Sequence, residues 1–281
     1  MLVPIAEDSK MPVFDAQRIK SDTFVSAVEY HDELPSTNDL ALDLISASAP
    51  DTSTAPFETP LLILTQTQTA GRGRGLNQWW STAGALTFSL VLDSRELRIP
   101  TDELPRVSLG VGVAICETLA RLAPTHSVGL KWPNDVWLND RKICGILVEM
   151  PEGMDGPMVI GIGININNSF TLAPDELKST ATSLFDTTGT TFDLNAVLIA
   201  VLAEIHLVLT ELSDSTPLER VADQALHCRW QQYSVLTGRN LRLKVGDHII
   251  AGTCRQIATD GGLVLDTLEG QQTLYGGIVL M

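Results

Sequence analysis

Two clusters of residues in this 281-residue chain have the types and spacing that chemistry needs. The first is Gln66–Trp80, where Gly71, Gly73 and Gly75 alternate with Arg72 and Arg74 and the pair Trp79-Trp80 follows. Glycine frees the backbone for positive φ and lets N–H groups approach a ligand closely. The guanidiniums can fork onto carboxylate or phosphate oxygens, and an indole offers a stacking face. The second cluster, Gly129–Glu149, holds Lys131-Trp-Pro-Asn-Asp135 and Arg141-Lys142, and is followed by a run with Gly161 and Gly163 at alternate positions. Alternate glycines in a strand mark a face against which a ligand or another backbone lies. Each feature also has a plain structural counterpart: a flexible surface loop, and hairpin-edge lysines that discourage aggregation.

Several chemistries fail on spacing. The glycine loop lacks the Gly-Lys-Ser/Thr of a phosphate-cradling P-loop, and the third glycine of a dinucleotide fingerprint falls on Leu76. No Ser-His-Asp or Cys-His arrangement stands out. Two arginines, two lysines, free amides and an aromatic remain. That set suits holding a carboxylate against a phosphate, two anions that approach only where preorganised positive groups also stabilise the developing charge. This is the requirement of acyl-adenylate formation.

Composition bounds the partners. Net charge is −15, with 44% hydrophobic and 19% charged residues, so the chain can bury a large core plus a small second one. The acidic balance argues against general nucleic-acid or anionic-membrane binding. Cys116, Cys144, Cys228 and Cys254 form no CxxC pair, and the five histidines show no metal-ligand spacing, so reduced core cysteines and no resident metal are expected. The N-terminus reads as no signal peptide, no apolar run reads as long enough to cross a bilayer, and a cytoplasmic protein follows.

The elements that must position these groups read as follows. Residues 1–28 form a short, partly irregular lead-in. Ser36, Thr37 and Asn38 are N-cap types before a helix over Asp39–Ala47. After a Ser/Thr/Ala/Pro-rich connector from Ser46 to Pro60, strand Leu61–Gln68 delivers the Gly/Arg loop and strand Gly84–Leu92 leaves it. A helix fits Leu104–Leu122, stopped by Pro124. Asn139-Asp140 reads as a hairpin turn between Val136–Leu138 and Ile143–Glu149, and Met158–Asn167 is a further strand. Helices follow over Leu194–Leu212, where His206 reads as structural, and from the capping box Thr216-Pro-Leu-Glu219 to about Gln232. From Leu236 onward about five short strands suggest a small barrel-like module.

Taken together, Ser36-Thr-Asn38, Gln68 with Gly71-Arg-Gly-Arg74 and Trp79, and Lys131-Trp-Pro-Asn-Asp135 resemble the biotin protein ligases. The resemblance continues through Lys142 with Gly145-Ile-Leu-Val-Glu149, Gly161-Ile-Gly-Ile-Asn165, Gly261-Gly262 and Tyr275-Gly-Gly277, and covers about residues 30 to 281. It implies an α/β (α+β) fold: a class II synthetase-like catalytic domain with a mixed β-sheet over 29–234, and a small SH3-like β-barrel over 235–281. It implies activation of biotin by ATP, with Mg2+, to biotinyl-5′-AMP, then transfer to a lysine of a biotin carboxyl carrier domain of acetyl-CoA carboxylase or another biotin-dependent carboxylase. By the same resemblance Ser36, Thr37, Asn38, Gln68, Gly71, Arg72, Gly73, Arg74, Lys142, Gly145 and Gly161 bind biotin. Arg72, Arg74, Trp79, Lys131, Asn134, Lys142 and Asn165 bind ATP or the adenylate, and Lys142, Arg74 and Lys131 serve catalysis.

Two departures stand out. Many bacterial members read Gly-Arg-Gly-Arg-Arg-Gly-Arg, whereas Gly75-Leu-Asn77 here removes two cations, predicting looser retention of the adenylate. Residues 1–28 read as too short for the N-terminal DNA-binding domain that bifunctional ligase–repressors carry, so no specific operator binding is expected. Oligomeric state stays open between monomer and homodimer. Two alternatives are carried: a lipoate ligase or octanoyltransferase on the same fold, and a non-enzymatic biotin-binding regulatory module.

Overall fold

The computed structural model describes residues 13–47, 58–99, 104–151, 154, 156–213 and 220–280. The Thr216–Glu219 capping box, residues 1–12 and most of the connector after Ser46 lie outside them. In chain order the first elements are α1 (Ala16–Asp22), β1 (Ala27–Leu34), α2 (Thr37–Ser46), β2 (Leu61–Gln68), β3 (Ala85–Asp93) and α3 (Leu104–Leu122). Next come β4 (Val128–Lys131), β5 (Asp135–Leu138), β6 (Arg141–Glu149), β7 (Pro157–Asn165), a 3-10 turn at Phe170–Leu172, α4 (Asp175–Thr180) and α5 (Leu184–Thr188). The chain continues with α6 (Leu194–Ser213), α7 (Arg220–Tyr233), β8 (Asn240–Val245), β9 (His248–Ile257), β10 (Leu263–Thr267), β11 (Gly270–Leu274) and β12 (Ile278–Leu280).

Strands β1 to β7 make one mixed sheet of order β1-β2-β3-β7-β6-β5-β4. Only β1 and β2 run parallel; the other pairs are antiparallel. Because strand side chains alternate, β3 sends Leu86, Phe88, Leu90 and Leu92 to one face and Thr87 and Ser89 to the other. The first face joins Ile160, Ile162 and Ile164 of β7 and residues of α3, α6 and α7 in the main core. On the opposite face α2 lays Ala41 and Ile45 over Leu61, Ile63, Val91 and Val159 in a second, smaller core.

Helix α6 corrects one expectation: its 20 residues are long and apolar enough to cross a membrane. Val197, Leu198, Val201, Leu202, Ile205, Val208, Leu209 and Leu212 are buried against the protein instead. At roughly 1.5–3 kcal/mol for each large apolar side chain removed from water, this burial accounts for the helix's composition. His206 stacks on Phe24 at 4.7 Å, a structural role.

From residue 13 onward the lead-in is more ordered than expected. Phe14, Ile19 and Val25 belong to the main core, Asp15 caps α1 by accepting from Arg18 N, and Asn195 at the start of α6 bonds both Asp15 N and Val13 O. The hairpin turn forms as read, with Asn139 and Asp140 at φ 48° and 60°, the left-handed values a two-residue hairpin favours. Arg229 of α7 fastens the helical layer, meeting Glu117 of α3 and Glu211 of α6 at 2.8 Å each.

The last five strands form a separate antiparallel sheet of order β11-β10-β9-β8-β12, matching the expected strand-rich module. It is joined to the first sheet where Trp132 Nε1 donates to Gly261 O (2.9 Å) and Val235 N donates to Leu130 O (3.0 Å).

Candidate active site

Strand register builds the floor. Thr87 pairs with Gly163, Gly163 with Gly145, Gly145 with Asp135, and Asp135 with Lys131. Paired residues share a face, so one row across the sheet is polar or bare and ends in a lysine. The adjoining row runs from Ser89 through Gly161 to Leu147. The glycines are needed for what lies on them. A Cβ at Gly163 would fall 2.7 Å from Trp79 Nε1, one at Gly145 3.2 Å from Lys142 Nζ, and one at Gly161 2.7 Å from Asn38 Cγ.

At one end sits an amide and hydroxyl network. Ser36 caps α2, accepting from Asp39 N (3.3 Å), so the capping role is real for that residue. Thr37 donates to Gln68 Oε1 from its backbone N (2.7 Å) and its hydroxyl (3.1 Å). Ser89 Oγ lies 2.7 Å from Thr37 Oγ1 and 2.6 Å from Asn38 Oδ1. Asn38 Nδ2 donates to Glu149 Oε2 (2.8 Å). The Gln68 side-chain nitrogen has no protein acceptor among the described residues.

Over this end folds the Gly71–Gln78 loop, closed by Gly73 N donating to Asn77 O (2.8 Å) and Trp79 N to Gly71 O (2.9 Å). Gly75 sits at φ 62°, a value an arginine would hold only with strain, so the Gly75-Leu-Asn77 departure fits this turn. Arg72 forks onto Glu149 at 3.0 and 2.9 Å and meets Asp39 at 2.6 Å. It is thus tied to protein carboxylates, and the bond to Glu149 raises its pKa further above its ordinary value.

The opposite end is cationic. Lys142 Nζ pairs with Asp135 Oδ1 at 2.7 Å. Lys131 Nζ lies 4.7 Å from the centre of the Trp137 ring. Burial lowers the Lys131 pKa, Asp135 opposes that and the Lys142 charge adds to it. Burial likewise lowers Arg74, again opposed by Asp135. Neither Arg74 nor Lys131 has an ion-pair partner among the described residues. Both are left to face an anionic ligand, as is Lys244, which lines one cavity with them.

A cavity of about 670 Å³ connects both ends. Ser36, Thr37, Asn38, Gln68, Arg72, Gly73, Arg74, Trp79, Lys131, Asn134, Lys142, Gly145, Gly161 and Asn165 all line it. Gly71 does not: it is buried under the loop, where an added Cβ would fall 2.6 Å from Trp79 O. Asn134 is committed to the sheet, donating from Nδ2 to Ile146 O (2.7 Å). Asn165 is 2% exposed and accepts from Asn168 (3.1 Å). Both amides brace the wall more than they reach into the space.

Sequence reasoning missed Asp135, Glu149, Asp39 and Ser89, which hold the other groups in place. Thr87 and Ser89 were a readable signal, two polar residues at alternate positions of an otherwise apolar strand. It also missed a wall where Trp80 and Phe170 meet at 5.2 Å beside Leu177 and Ala181. Lys244 and Ile278 of the last sheet, and Gly277 just before β12, line the cavity too.

This two-sheet arrangement is the fold of the biotin protein ligases. The chain superposes on the biotin protein ligase from Aquifex aeolicus in complex with biotin and ATP with a TM-score of 0.74, at 25% identity, covering 91% of this chain and 98% of that one. Residues 35–167 match the sequence model of the Biotin/lipoate A/B protein ligase family. The bifunctional ligase/repressor BirA of Bacillus subtilis (strain 168) is 31% identical over 92% of this chain and 74% of its own length. The biotin–[acetyl-CoA-carboxylase] ligase of Mycobacterium tuberculosis is 31% identical over 73% of each. The chain belongs to the biotin protein ligase family.

Proposed function

We propose that this protein is an ATP-dependent biotin–protein ligase that activates biotin and attaches it to a lysine of a carrier domain of acetyl-CoA carboxylase or a related carboxylase. The observation that carries this reading is the polarity of the cavity: an amide network at one end, Arg74, Lys131 and Lys142 at the other, and between them a glycine row that lets Asn38, Trp79 and Lys142 lie close against the sheet. The ureido group of biotin both donates and accepts hydrogen bonds, and Gln68, Thr37 and Asn38 offer both. The dithiolane of lipoate offers neither, and a site built for hydrogen bonds rejects a ligand that leaves them unmade.

In the first step a biotin carboxylate oxygen attacks the α-phosphorus of ATP. An acyl–phosphate bond forms, the bond to the β-phosphate oxygen breaks, and pyrophosphate leaves. Mg2+ enters with ATP as part of that substrate. Arg74 and Lys131 face the phosphates, while Lys142, positioned by Asp135, bridges the carboxylate and the α-phosphate and stabilises the charge that accumulates there. Trp79 backs the adenylate, and the loop carrying Arg72 and Gly73 encloses it, which keeps water from the mixed anhydride. In the second step the carrier's lysine amine attacks the acyl carbon, an amide forms, AMP leaves, and the amine gives up its proton. A purely binding module has no use for the cationic end.

The site of action is the cytoplasm, in keeping with four free cysteines, and the acidic charge gives no basis for DNA as a partner. The reading is tested by incubating the protein with biotin, Mg-ATP and an apo carrier domain and weighing the carrier. Addition of one biotin less one water is expected, on a single lysine. An unchanged carrier mass overturns the transfer step.

A further inference from the structure

Arg72 lines the cavity, yet its guanidinium is committed to the protein. All three of its side-chain nitrogens meet carboxylate oxygens. Nη1 and Nη2 donate to Glu149 Oε1 and Oε2 at 3.0 and 2.9 Å, and Nε lies 2.6 Å from Asp39 Oδ1. Asp39 stands in the first turn of α2 and Glu149 ends β6, so one side chain ties the Gly71–Gln78 loop to two elements that wall the amide end. Glu149 Oε2 is shared, since it also accepts from Asn38 Nδ2 at 2.8 Å. Neither Asp39 nor Glu149 lines the cavity. They act on it through Arg72 and Asn38.

A single positive charge held between two carboxylates leaves this cluster net negative. A phosphate or carboxylate brought to Arg72 would approach Asp39 and Glu149 as well, and like charges at that distance repel. Isolated surface ion pairs contribute little, but a forked arginine joined by a second carboxylate is the arrangement in which they count. The Glu149 side chain is 24% exposed, so its pair is only partly screened by water. Arg74, in the same loop, has no ion-pair partner among the described residues, so the two arginines divide the work. We propose that Glu149 and Asp39 are positioning residues that latch the loop shut over the amide end through Arg72, so that ion pairs within the protein, and not a contact from Arg72 to the ligand, set how long the adenylate stays bound. The proposal rests on the ligase reading above, and it replaces the ligand-binding role that the resemblance implies for the Arg72 charge.

Glu149→Gln and Asp39→Asn each remove a charge and keep an oxygen that accepts, so the bond from Asn38 survives. Each is expected to release pre-bound biotinyl-5′-AMP about tenfold faster and to release biotin alone faster by the same factor, because a latch holds either occupant. The KM for ATP is expected to hold. With the adenylate bound, trypsin is expected to cut after Arg74 sooner in both variants, read from the fragment masses. Glu149→Gln combined with Arg72→Ala is expected to release the adenylate no faster than Arg72→Ala alone. Acceleration for the adenylate but not for biotin puts Arg72 on the phosphate, and the proposal fails. Effects that multiply in the combined variant also overturn it. Normal biotin-dependent ATP–pyrophosphate exchange with unmoved release rates overturns the latch alone. Absence of exchange in the unsubstituted protein overturns the ligase reading and this proposal with it.

Discussion

Replacing Gly161 with alanine probes the floor of the site at its tightest point. A Cβ there lies 2.7 Å from Asn38 Cγ and 2.8 Å from Nδ2, and inside contact distance of Oδ1. A loosely held asparagine would swing aside. This one is 4% exposed and pinned between Ser89 Oγ at 2.6 Å and Glu149 Oε2 at 2.8 Å. Keeping it in place means overpacking, at about 1–3 kcal/mol. Moving it breaks two hydrogen bonds, at roughly 0.5–1.5 kcal/mol each. Both routes centre on about 2 kcal/mol, which is roughly 30-fold in an equilibrium constant. Urea denaturation should report a stability loss of about that size. Pyrophosphate exchange should report a biotin KM raised roughly 30-fold, with the KM for ATP, bound at the other end, little altered. A variant with the original biotin KM and unchanged stability would refute the packing argument.

Other consequences follow from the cations. Lys142→Ala removes the partner of Asp135 and a group at the reacting phosphate, so exchange should fall by roughly 100- to 1000-fold with little change in the urea midpoint; exchange within tenfold of the original moves the role elsewhere. Lys131 has its pKa lowered from 10.5, chiefly by burial. The native state therefore holds that proton less tightly than the unfolded chain, and the charged form costs stability that is relieved as pH rises through the native pKa toward 10.5. Activity moves the other way, since the ammonium is lost over that same range. Lys131→Arg should shift the alkaline limb of the exchange profile upward, and an unshifted limb removes Lys131 from the titrating step. Arg229→Ala strands Glu117 and Glu211 on the far side of the sheet and should cost about 2 kcal/mol of stability with both KM values intact; an unmoved urea midpoint contradicts the fastening role.

Long periodic segments were readable because many residues vote for one face. The bounds of α3 and β2 match the reading from sequence, and the Asn139-Asp140 turn declared itself through residues that tolerate positive φ. Helix α1 has seven residues, too few turns for a period to emerge, and its partners in α6 lie far along the chain. Strand β1 was hidden by Glu29, His31, Asp32 and Glu33, polar and acidic residues tolerated because it is the edge of its sheet. Within the site, residue types announced the cations and the glycine floor. Pairing did not. That Arg72 is held by Asp39 and Glu149, and Lys142 by Asp135, follows from how the Gly71–Gln78 loop packs and how β5 and β6 pair, which no local window contains. The approach of Lys244 and Ile278 to the cavity likewise depends on how two sheets meet.

The central claim is that one cavity binds biotin by its amide end and activates it at its cationic end. Isotope exchange between pyrophosphate and ATP measures that directly, because it requires reversible adenylate formation and no carrier protein. The account predicts exchange that depends on biotin and is absent with lipoate in its place. Exchange supported by lipoate alone, or none with either acid, would contradict it.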